Sequence, residues 1–499
     1  MNILFVANNV EKLGIELISA ILKKEGHRTE LFYIPPLKID QEKMLWDTIE
    51  RFKPDAVGFS VTSDEFIWSC ELAEKIKERY EEIIIIFGGP HPTLVPEVTI
   101  KKPYVDIVCI GEGELAIKDI FNNLSKGKDT SKIKNLWVKK DGKIYKNELR
   151  AFNEKLDDLP MLDKDLFYEK NNFYGLSYST VAGRGCPHSC TYCCNSIFRK
   201  LAEGRYVRMR SVDNLIEELR YAKEKYKPET IRFEDDVFII NTEWLKEFSE
   251  KYKKEIGIPF WCLVSPLTVT EEKIRLLKQA GCVCANFGIQ TANEEIRKKI
   301  LNRHETNHQI IVAGKLLKKY KIKMLVDHIG GIPYETEDDF VKSAFLYNEL
   351  SPDFINFFWM AYFPKTPIIE IAKSAKVIDD DYVLKVEEGM DNMMISVESI
   401  ITEGRMKINS NEVIDAYSQT KLIAQFASVM YLIPILPKRI GNFMLKKKLY
   451  RKIPKALFNI IKNFAYFYRS FKEGVRSPRK IIRYYKTKKK LKKTYSNYL

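Results

Sequence analysis

Residues 83–87 read Ile-Ile-Ile-Ile-Phe, and this unbroken apolar run constrains the fold more than any other stretch. A strand with one face in water alternates apolar and polar residues, so the run predicts a strand covered on both faces, as in a parallel sheet. Four more strands are predicted in the first 135 residues, at 2–7, 27–34, 55–61 and 106–110, with helical patterns near 12–25, 65–80 and 114–124. Residues 1–135 are therefore predicted to form a doubly wound parallel α/β sheet.

Small residues follow the predicted ends of three of these strands. Ligands of open parallel sheets bind outside the carboxyl ends of the strands. Residues without bulky side chains also let a large flat ligand approach the backbone. The ligand site predicted at this edge comprises Thr62, Ser63, Gly88, Gly89, Gly111, Glu112 and Gly113.

A second series of strands occupies residues 176–400. Six strands are predicted, at 178–183, 230–233, 260–264, 283–289, 324–329 and 354–361, with helices between them. Six β/α units in sequence predict a partial (β/α)6 barrel, whose active site gathers at the carboxyl ends of its strands. Residues 136–175 are predicted to join the two units through a hairpin around Asp141-Gly142 and a surface linker.

A cysteine loop directly follows the first strand of this second series. Residues 185–193 read GCPHSCTYC, which places three residues between Cys186 and Cys190 and two between Cys190 and Cys193. Three thiolates at such short spacings can ligate three irons of a cubane [4Fe-4S] cluster and leave the fourth iron open for chemistry. A structural zinc loop completed by His188 or Cys194 is the alternative, although no second cysteine pair follows.

The loop with Tyr192 before its last cysteine resembles the signature of the radical S-adenosylmethionine (SAM) superfamily. The preceding α/β unit resembles the cobalamin-binding domain of one of its subfamilies. This resemblance implies that the open iron binds SAM, that an electron from the cluster yields a 5′-deoxyadenosyl radical, and that cobalamin is a second cofactor. Residues 8–14 read NNVEKLG and lack the histidine of the D-x-H-x-x-G loop of cobalamin mutases and methionine synthase. This departure is common among the radical SAM members, and it implies cobalt without a histidine ligand.

The resemblance also implies SAM contacts at the ends of later strands. The acidic pair at 235–236 occupies the place of the motif that accepts the SAM ammonium, which suits a charge-assisted hydrogen bond. Residues 288–292 (GIQTA) and 331–336 (GIPYET) resemble the family's GIESG and GLPGET segments, with Gln290 in the position of the usual acid. The implied SAM residues are Asp235, Asp236, Gln290, Thr291, Gly331 and Pro333.

The first reaction implied by the resemblance is methylation of an unactivated carbon. Relatives with the same two domains also close rings, so a cyclase or another carbon-skeleton reaction is the second interpretation. A non-enzymatic metal-binding or membrane-tethered adaptor is the third. The expected partners are a small-molecule or lipid-like substrate and an electron donor of flavodoxin or ferredoxin type.

Net charge is concentrated at the carboxyl-terminal end. Of the overall net charge of +15, residues 437–499 carry +20 and the rest of the chain carries −5. Attraction of an acidic partner by positive charge is therefore expected from this segment alone. Residues 401–499 are therefore predicted to be a basic helical region. We expect no nucleic-acid partner. Nine cysteines without an export signal favour the reducing cytoplasm.

One helix of this region carries an apolar periodicity. Apolar residues recur at three- and four-residue spacing between 453 and 471, while three basic residues seven apart share another face. This pattern, with the basic terminus at 486–493, predicts peripheral contact with an anionic membrane at the inner face of the cell membrane; a helix packed on the barrel is the alternative. The apolar set is Leu457, Ile461, Phe464, Tyr468 and Phe471, and the basic set is Lys455, Lys462 and Arg469.

Overall fold

The protein is described by a computed structural model over residues 1–37, 39–171, 174–390, 416–472 and 489–498. Its first sheet has seven strands in the order β2-β1-β3-β4-β5-β6-β7. The strands are β1 (Asn2–Ala7), β2 (Arg28–Tyr33), β3 (Ala56–Ser60), β4 (Ile84–Gly88), β5 (Ile107–Cys109), β6 (Leu136–Lys140) and β7 (Lys143–Lys146). The first five are parallel, as the apolar runs predict.

Helices cover both faces of this sheet and explain why its strands are apolar throughout. Ile85 and Phe87 of β4 have no exposed surface, so the run at 83–87 forms the middle of the core. The helices are α1 (Leu13–Lys24), α2 (Gln41–Phe52), α3 (Phe66–Arg79), α4 (Pro90–Leu94), α5 (Pro96–Lys101) and α6 (Glu114–Leu124).

The predicted hairpin forms and extends the first sheet. Asp141 and Gly142 turn the chain with positive φ angles of 50° and 70°. Strand β6 then pairs antiparallel with both β5 and β7. The sheet therefore continues past residue 135 through the hairpin that the sequence assigns to the connector.

The linker after the hairpin packs against the first sheet through buried charges. Helix α7 (Asp165–Tyr168) follows Lys164, whose side chain is fully buried and lies 2.7 Å from carboxylate oxygens of both Glu11 and Glu16. Glu11 belongs to the loop after β1, so this ion cluster fixes that loop to the linker. Asn9 of the same loop accepts a hydrogen bond from the Tyr174 hydroxyl at 2.7 Å.

The second sheet has six parallel strands in the order β15-β14-β13-β12-β11-β8. They are β8 (Ser177–Thr180), β11 (Thr230–Phe233), β12 (Phe260–Leu263), β13 (Cys282–Gln290), β14 (Lys323–Gly330) and β15 (Phe354–Trp359), while β9 (Gly183–Arg184) and β10 (Arg208–Met209) form a separate antiparallel pair. The partial barrel predicted from six β/α units is confirmed.

Helices connect these strands and begin at polar caps. Thr336 closes a capping box with Asp339 at the start of α13, as its predicted N-cap role requires. The helices are α8 (Asn195–Phe198), α9 (Val212–Lys225), α10 (Thr242–Glu255), α11 (Glu271–Ala280), α12 (Asn307–Lys319), α13 (Glu337–Leu350), α14 (Ile368–Ser374) and α15 (Asp380–Glu387).

Three further helices cover the β15 edge of the second sheet. They are α16 (Ala416–Leu432), α17 (Lys438–Lys446) and α18 (Phe458–Lys472). Helix α16 packs on β15 and on α18, and α17 packs on α13. Within the described ranges, none of the helices combines the length and apolar character needed to cross a bilayer. The predicted boundary between 400 and 401 lies outside the described residues.

Candidate active site between two sheets

The segment that leads into the cysteine loop is β9, which packs very closely against β10. Strand β9 passes so near β10 that a Cβ on Gly183 would lie 2.5 Å from the carbonyl oxygen of Arg208. At Gly185, φ is +83° and a Cβ would lie 2.3 Å from the Tyr206 carbonyl oxygen. Only glycine fits these two positions, and Cys186 follows the second directly.

The turn after β13 supports the cysteine loop from the other side. The Thr191 hydroxyl donates to the Ile300 carbonyl at 2.6 Å. The Asn302 amide donates to the carbonyl oxygen of Ser189 at 2.9 Å. Because these bonds join segments more than a hundred residues apart, the loop is held in shape by the barrel.

The thiols of Cys186 and Cys193 lie in surroundings that favour the protonated form. Burial raises the pKa of Cys186 to about 12 and that of Cys193 to about 11, and neighbouring thiols, Cys190 among them, add to both shifts. Such thiols are protonated at neutral pH, so metal insertion has to release their protons. In the described residues, no three His, Cys, Asp or Glu side chains converge on a single ion. A cubane cluster takes each thiolate on a different iron.

A buried arginine adjoins the loop, although no sequence motif indicated it. The guanidinium Nη1 of Arg303 lies 3.7 Å from Cys190 Sγ, and Nη2 donates to the Gly288 carbonyl at 2.8 Å. Its Nε donates to Glu305 at 2.6 Å, which fixes the orientation of the planar group. Arg303 therefore presents a positive charge to the thiol that lies deepest in the loop.

The two predicted acidic SAM residues have different surroundings. Both carboxylate oxygens of Asp235 accept backbone amides, from Ala182 at 2.9 Å and from Gly183 at 2.7 Å. Burial raises the pKa of Asp235 to about 7, against the lowering effect of those bonds. Asp235 therefore supports the strand that leads into the cysteine loop. Asp236 stays exposed and lies near Cys186 and Cys193.

The other predicted SAM residues lie at the ends of β13 and β14. Gln290 has a φ of +67° and its buried Oε1 has no protein partner. Thr291 is fully buried, and its carbonyl accepts from Arg297 at 3.1 Å. Gly331 donates its amide to Glu335 at 2.9 Å, and Pro333 is buried. Gln290 is thus a free acceptor, whereas Thr291, Gly331 and Pro333 shape the backbone.

A cavity of about 450 Å³ separates the first sheet from the cysteine loop. Residues of β1, β3, β4 and β5 and of helices α1 and α6 line one side of it, and β9 and Tyr206 line the other. Five predicted ligand residues line it: Gly88, Gly89, Gly111, Glu112 and Gly113.

Thr62 and Ser63 do not line this cavity. The Thr62 hydroxyl closes a capping box with Glu65 at 2.8 Å, and the Ser63 hydroxyl bonds His91 Nδ1 at 2.9 Å. His91 is itself fully buried against the Phe66 ring. The side chains of Thr62 and Ser63 therefore stabilise the loop that follows β3.

A charged seam joins the cavity rim to the cysteine loop. Glu112 accepts from Arg184 Nη1 at 2.9 Å and from Arg208 Nη2 at 2.8 Å. Arg184 also pairs with Glu114. Because Arg184 lies two residues before Cys186, this seam ties the first sheet to the segment that carries the thiols.

Two family models match this chain: the B12 binding domain over residues 2–121 and the Radical SAM superfamily over residues 180–347. PH0819 of Pyrococcus horikoshii, an uncharacterized methyltransferase, is 31% identical over 328 residues, which cover 65% of this chain and 70% of the relative. This chain belongs to the cobalamin-dependent radical SAM enzyme family. The predicted enzyme and its cofactors, a [4Fe-4S] cluster, SAM and cobalamin, are confirmed.

Two further comparisons agree with the membership. The anaerobic magnesium-protoporphyrin IX monomethyl ester cyclase of Rubrivivax gelatinosus is 23% identical over 388 residues, 73% of this chain and 68% of the relative. The structure of OxsB, a cobalamin-dependent SAM radical enzyme with aqua-cobalamin and SAM bound, matches with a TM-score of 0.67 at 16% identity, covering 95% of this chain and 79% of that one. The structural match shows a shared fold.

The residues of this radical SAM enzyme fit the cofactors of its family. The cavity has a rim of glycines and an apolar interior, which suits a large cofactor with a flat ring. Gln290 Oε1 and Glu335 Oε1 are buried without protein partners, so each can accept a ligand donor. The loop at 8–14 has no histidine and is fixed by Lys12 to the Ser60 carbonyl at 2.6 Å. Because the family to which this chain belongs uses a [4Fe-4S] cluster, the alternative of a structural zinc loop is rejected.

Proposed function

We propose that this enzyme methylates an unactivated carbon of a small or lipid-like molecule. One observation carries the proposal: a single cavity has glycines of the first sheet on one side and the residues before Cys186 on the other. Methyl transfer to an unactivated carbon needs the methyl carrier, the radical source and the substrate held close together.

The proposed cofactor residues follow from this placement. Gly88, Gly89, Gly111 and Gly113 border the cobalamin space, with Glu112 fixing the rim through its two arginines. Cys186, Cys190 and Cys193 hold the cluster. Bound together, these groups supply a methyl carrier and a radical source.

The protein's own contribution to SAM binding is electrostatic. Asp236 has an accessible carboxylate beside the thiols, which suits an ammonium group. Gln290 offers an unpartnered amide oxygen for a hydroxyl or amine donor. Arg303 offsets negative charge at Cys190, and Asp235 fixes the strand from which the loop emerges.

The remaining partners are proposed on chemical grounds. The cluster needs a low-potential electron, which a flavodoxin- or ferredoxin-type donor in a reducing cytoplasm supplies. Peripheral contact with an anionic membrane, suggested by the basic segment, would bring the enzyme to a lipid-like substrate.

The experiment is incubation of the anaerobically reconstituted enzyme with SAM carrying a labelled methyl group, a reductant and a cell extract. Mass spectrometry should find the label in one extract molecule, and partition into organic solvent would show a lipid. Consumption of SAM with a product that gains no label would instead favour the cyclase interpretation, which the similarity to the R. gelatinosus cyclase supports.

A further inference from the structure

Helix α17 exposes a face on which apolar and basic side chains alternate. Ile440 and Phe443, three residues apart, are 51% and 58% exposed. Arg439, Lys446 and Lys447 are also exposed and lie three or four residues from Phe443. Residues at these spacings are neighbours on a helix surface, so the two apolar side chains are surrounded by positive charge.

The opposite face of α17 is anchored to the barrel. Leu445 is buried, and the Asn348 amide of α13 donates to the Lys438 carbonyl at 3.0 Å and to Asn442 at 2.8 Å. The orientation of the helix is therefore fixed by packing, and its basic-apolar face points outward.

Helix α18 adds an apolar stripe in an orientation that the sequence did not predict. Phe458 and Ala465 are buried and Ile461 packs against the core, so the predicted apolar face is split. The outward side carries Ile460 and Phe464, at 63% and 51% exposure, with Leu457 and Phe467 exposed beside them. Lys462 lies against the Phe458 ring, away from this stripe.

We propose that the exposed faces of α17 and α18 form a docking surface for an anionic lipid bilayer. Aromatic and aliphatic side chains surrounded by lysine and arginine are the make-up of helices that lie in the headgroup region. The positive charge of the segment after 437 complements acidic headgroups. The proposed contact is peripheral, with the exposed side chains reaching the headgroup region.

The charge on this surface selects a membrane over a second copy of the chain. A symmetric dimer through α17 would place Arg439, Lys446 and Lys447 of one copy against the same residues of the other. Like charges brought together in this way oppose association. An acidic lipid surface removes the repulsion and accepts the apolar side chains at the same time.

This inference rests on the proposed function in one respect, since a lipid-like substrate explains why the enzyme would bind a bilayer. Membrane binding and radical chemistry are nevertheless measured separately. Reductive cleavage of SAM to 5′-deoxyadenosine depends on the cysteine loop, while vesicle binding depends on α17 and α18.

The test is sedimentation of the cofactor-loaded full chain with phosphatidylcholine vesicles, with or without phosphatidylglycerol, at low and high NaCl. One variant removes charge (Arg439→Gln, Lys446→Gln, Lys447→Gln) and a second removes apolar surface (Ile440→Ser, Phe443→Ser). The charge control replaces three exposed lysines of the first unit, Lys126, Lys128 and Lys132, by Gln. The apolar control is Ile144→Ser with Val312→Ser, which have 41% and 40% exposure.

The unchanged chain should bind only the anionic vesicles, and more weakly at high salt. The charge variant should bind on the order of 100-fold more weakly, since each of the three basic residues near an anionic surface contributes roughly fivefold. The apolar variant should also lose binding, while both controls retain it. Equal binding to neutral vesicles, undiminished binding by the charge variant, or an equal loss in its lysine control would overturn the proposal. If the docking proposal is overturned while every variant still cleaves SAM, the proposed reaction is not affected.

Discussion

Arg303 Nη1 lies 3.7 Å from the Sγ of Cys190, so a largely buried guanidinium from the turn after β13 adjoins one of the proposed cluster ligands. Glu305 and the Gly288 carbonyl hold the guanidinium in that orientation. Hydrogen bonds and positive charge near cluster sulfurs favour the reduced state, because reduction adds negative charge. We therefore expect this contact to influence how easily a cluster held by Cys190 is reduced.

Replacing this arginine should make the cluster harder to reduce. We expect Arg303→Gln to lower the reduction potential by tens of millivolts, on the scale of about 59 mV for a tenfold change in a one-electron equilibrium. The reduction potential of Arg303→Lys should lie between those of the unchanged enzyme and Arg303→Gln, because lysine keeps the positive charge but not the planar guanidinium. A redox titration followed by electron paramagnetic resonance measures the shift. The exposed Arg220→Gln is the control, and an unchanged potential in Arg303→Gln would contradict the role.

Alanine variants should distinguish the three proposed cluster ligands from the adjacent Cys194. Cys186→Ala, Cys190→Ala and Cys193→Ala should each lose the cluster and the formation of 5′-deoxyadenosine. Cys194→Ala should retain both, with about four irons per chain. Iron and sulfide content, measured after anaerobic reconstitution, tests the assignment. Loss of iron from the Cys194 variant alone would show that the ligand set is wrong.

The seam between Glu112 and Arg184 should couple the two units energetically. Both side chains are about one-fifth exposed and 2.9 Å apart, so their pairing is screened less than a surface pair. We expect a coupling free energy on the order of 1 kcal/mol between Glu112→Gln and Arg184→Gln in a double-mutant cycle of urea unfolding. The exposed pair Arg205 and Glu154 is the matched control and should show little coupling. Equal coupling in both cycles would refute the special role of the seam.

The buried histidine beside Ser63 should make stability fall in mild acid. Burial lowers the pKa of His91 from 6.5 to about 4, so between these values the unfolded chain binds a proton that the folded protein excludes. Its contribution to stability is complete above pH 6.5 and is lost as the pH falls toward 4. At pH 5 the loss should be about 2 kcal/mol relative to pH 7.

Urea unfolding at the two pH values measures this loss. His91→Gln should reduce the pH dependence by about that amount, while the exposed His308→Gln should leave it unchanged. His328, whose pKa burial lowers to about 3, should account for part of the dependence that remains. A His91 variant with an undiminished dependence would rule out this histidine as its source.

Local patterns were sufficient to predict most of the elements, and the family resemblance carried by a few short motifs implied the cofactors. A continuous, mostly β-branched apolar run such as 83–87 favours a strand between two helical layers, and the structure has β4 there. The spacing of Cys186, Cys190 and Cys193 is set within one loop, so the sequence could identify it. Thr336 as an N-cap and Asp141-Gly142 as a turn likewise depend on a few adjacent residues.

Tertiary structure decided which side chains are free to act. Asp235 and Asp236 are adjacent and chemically identical in the sequence, yet only Asp235 meets the amides of Ala182 and Gly183 from another strand. Arg303 reaches Cys190 across 113 residues of chain, and no local pattern records such a contact. The periodicity of α18 showed an apolar helix but could not show which flank packs on the barrel. Periodicity describes one element alone, whereas burial and pairing depend on the neighbours that the fold brings to it.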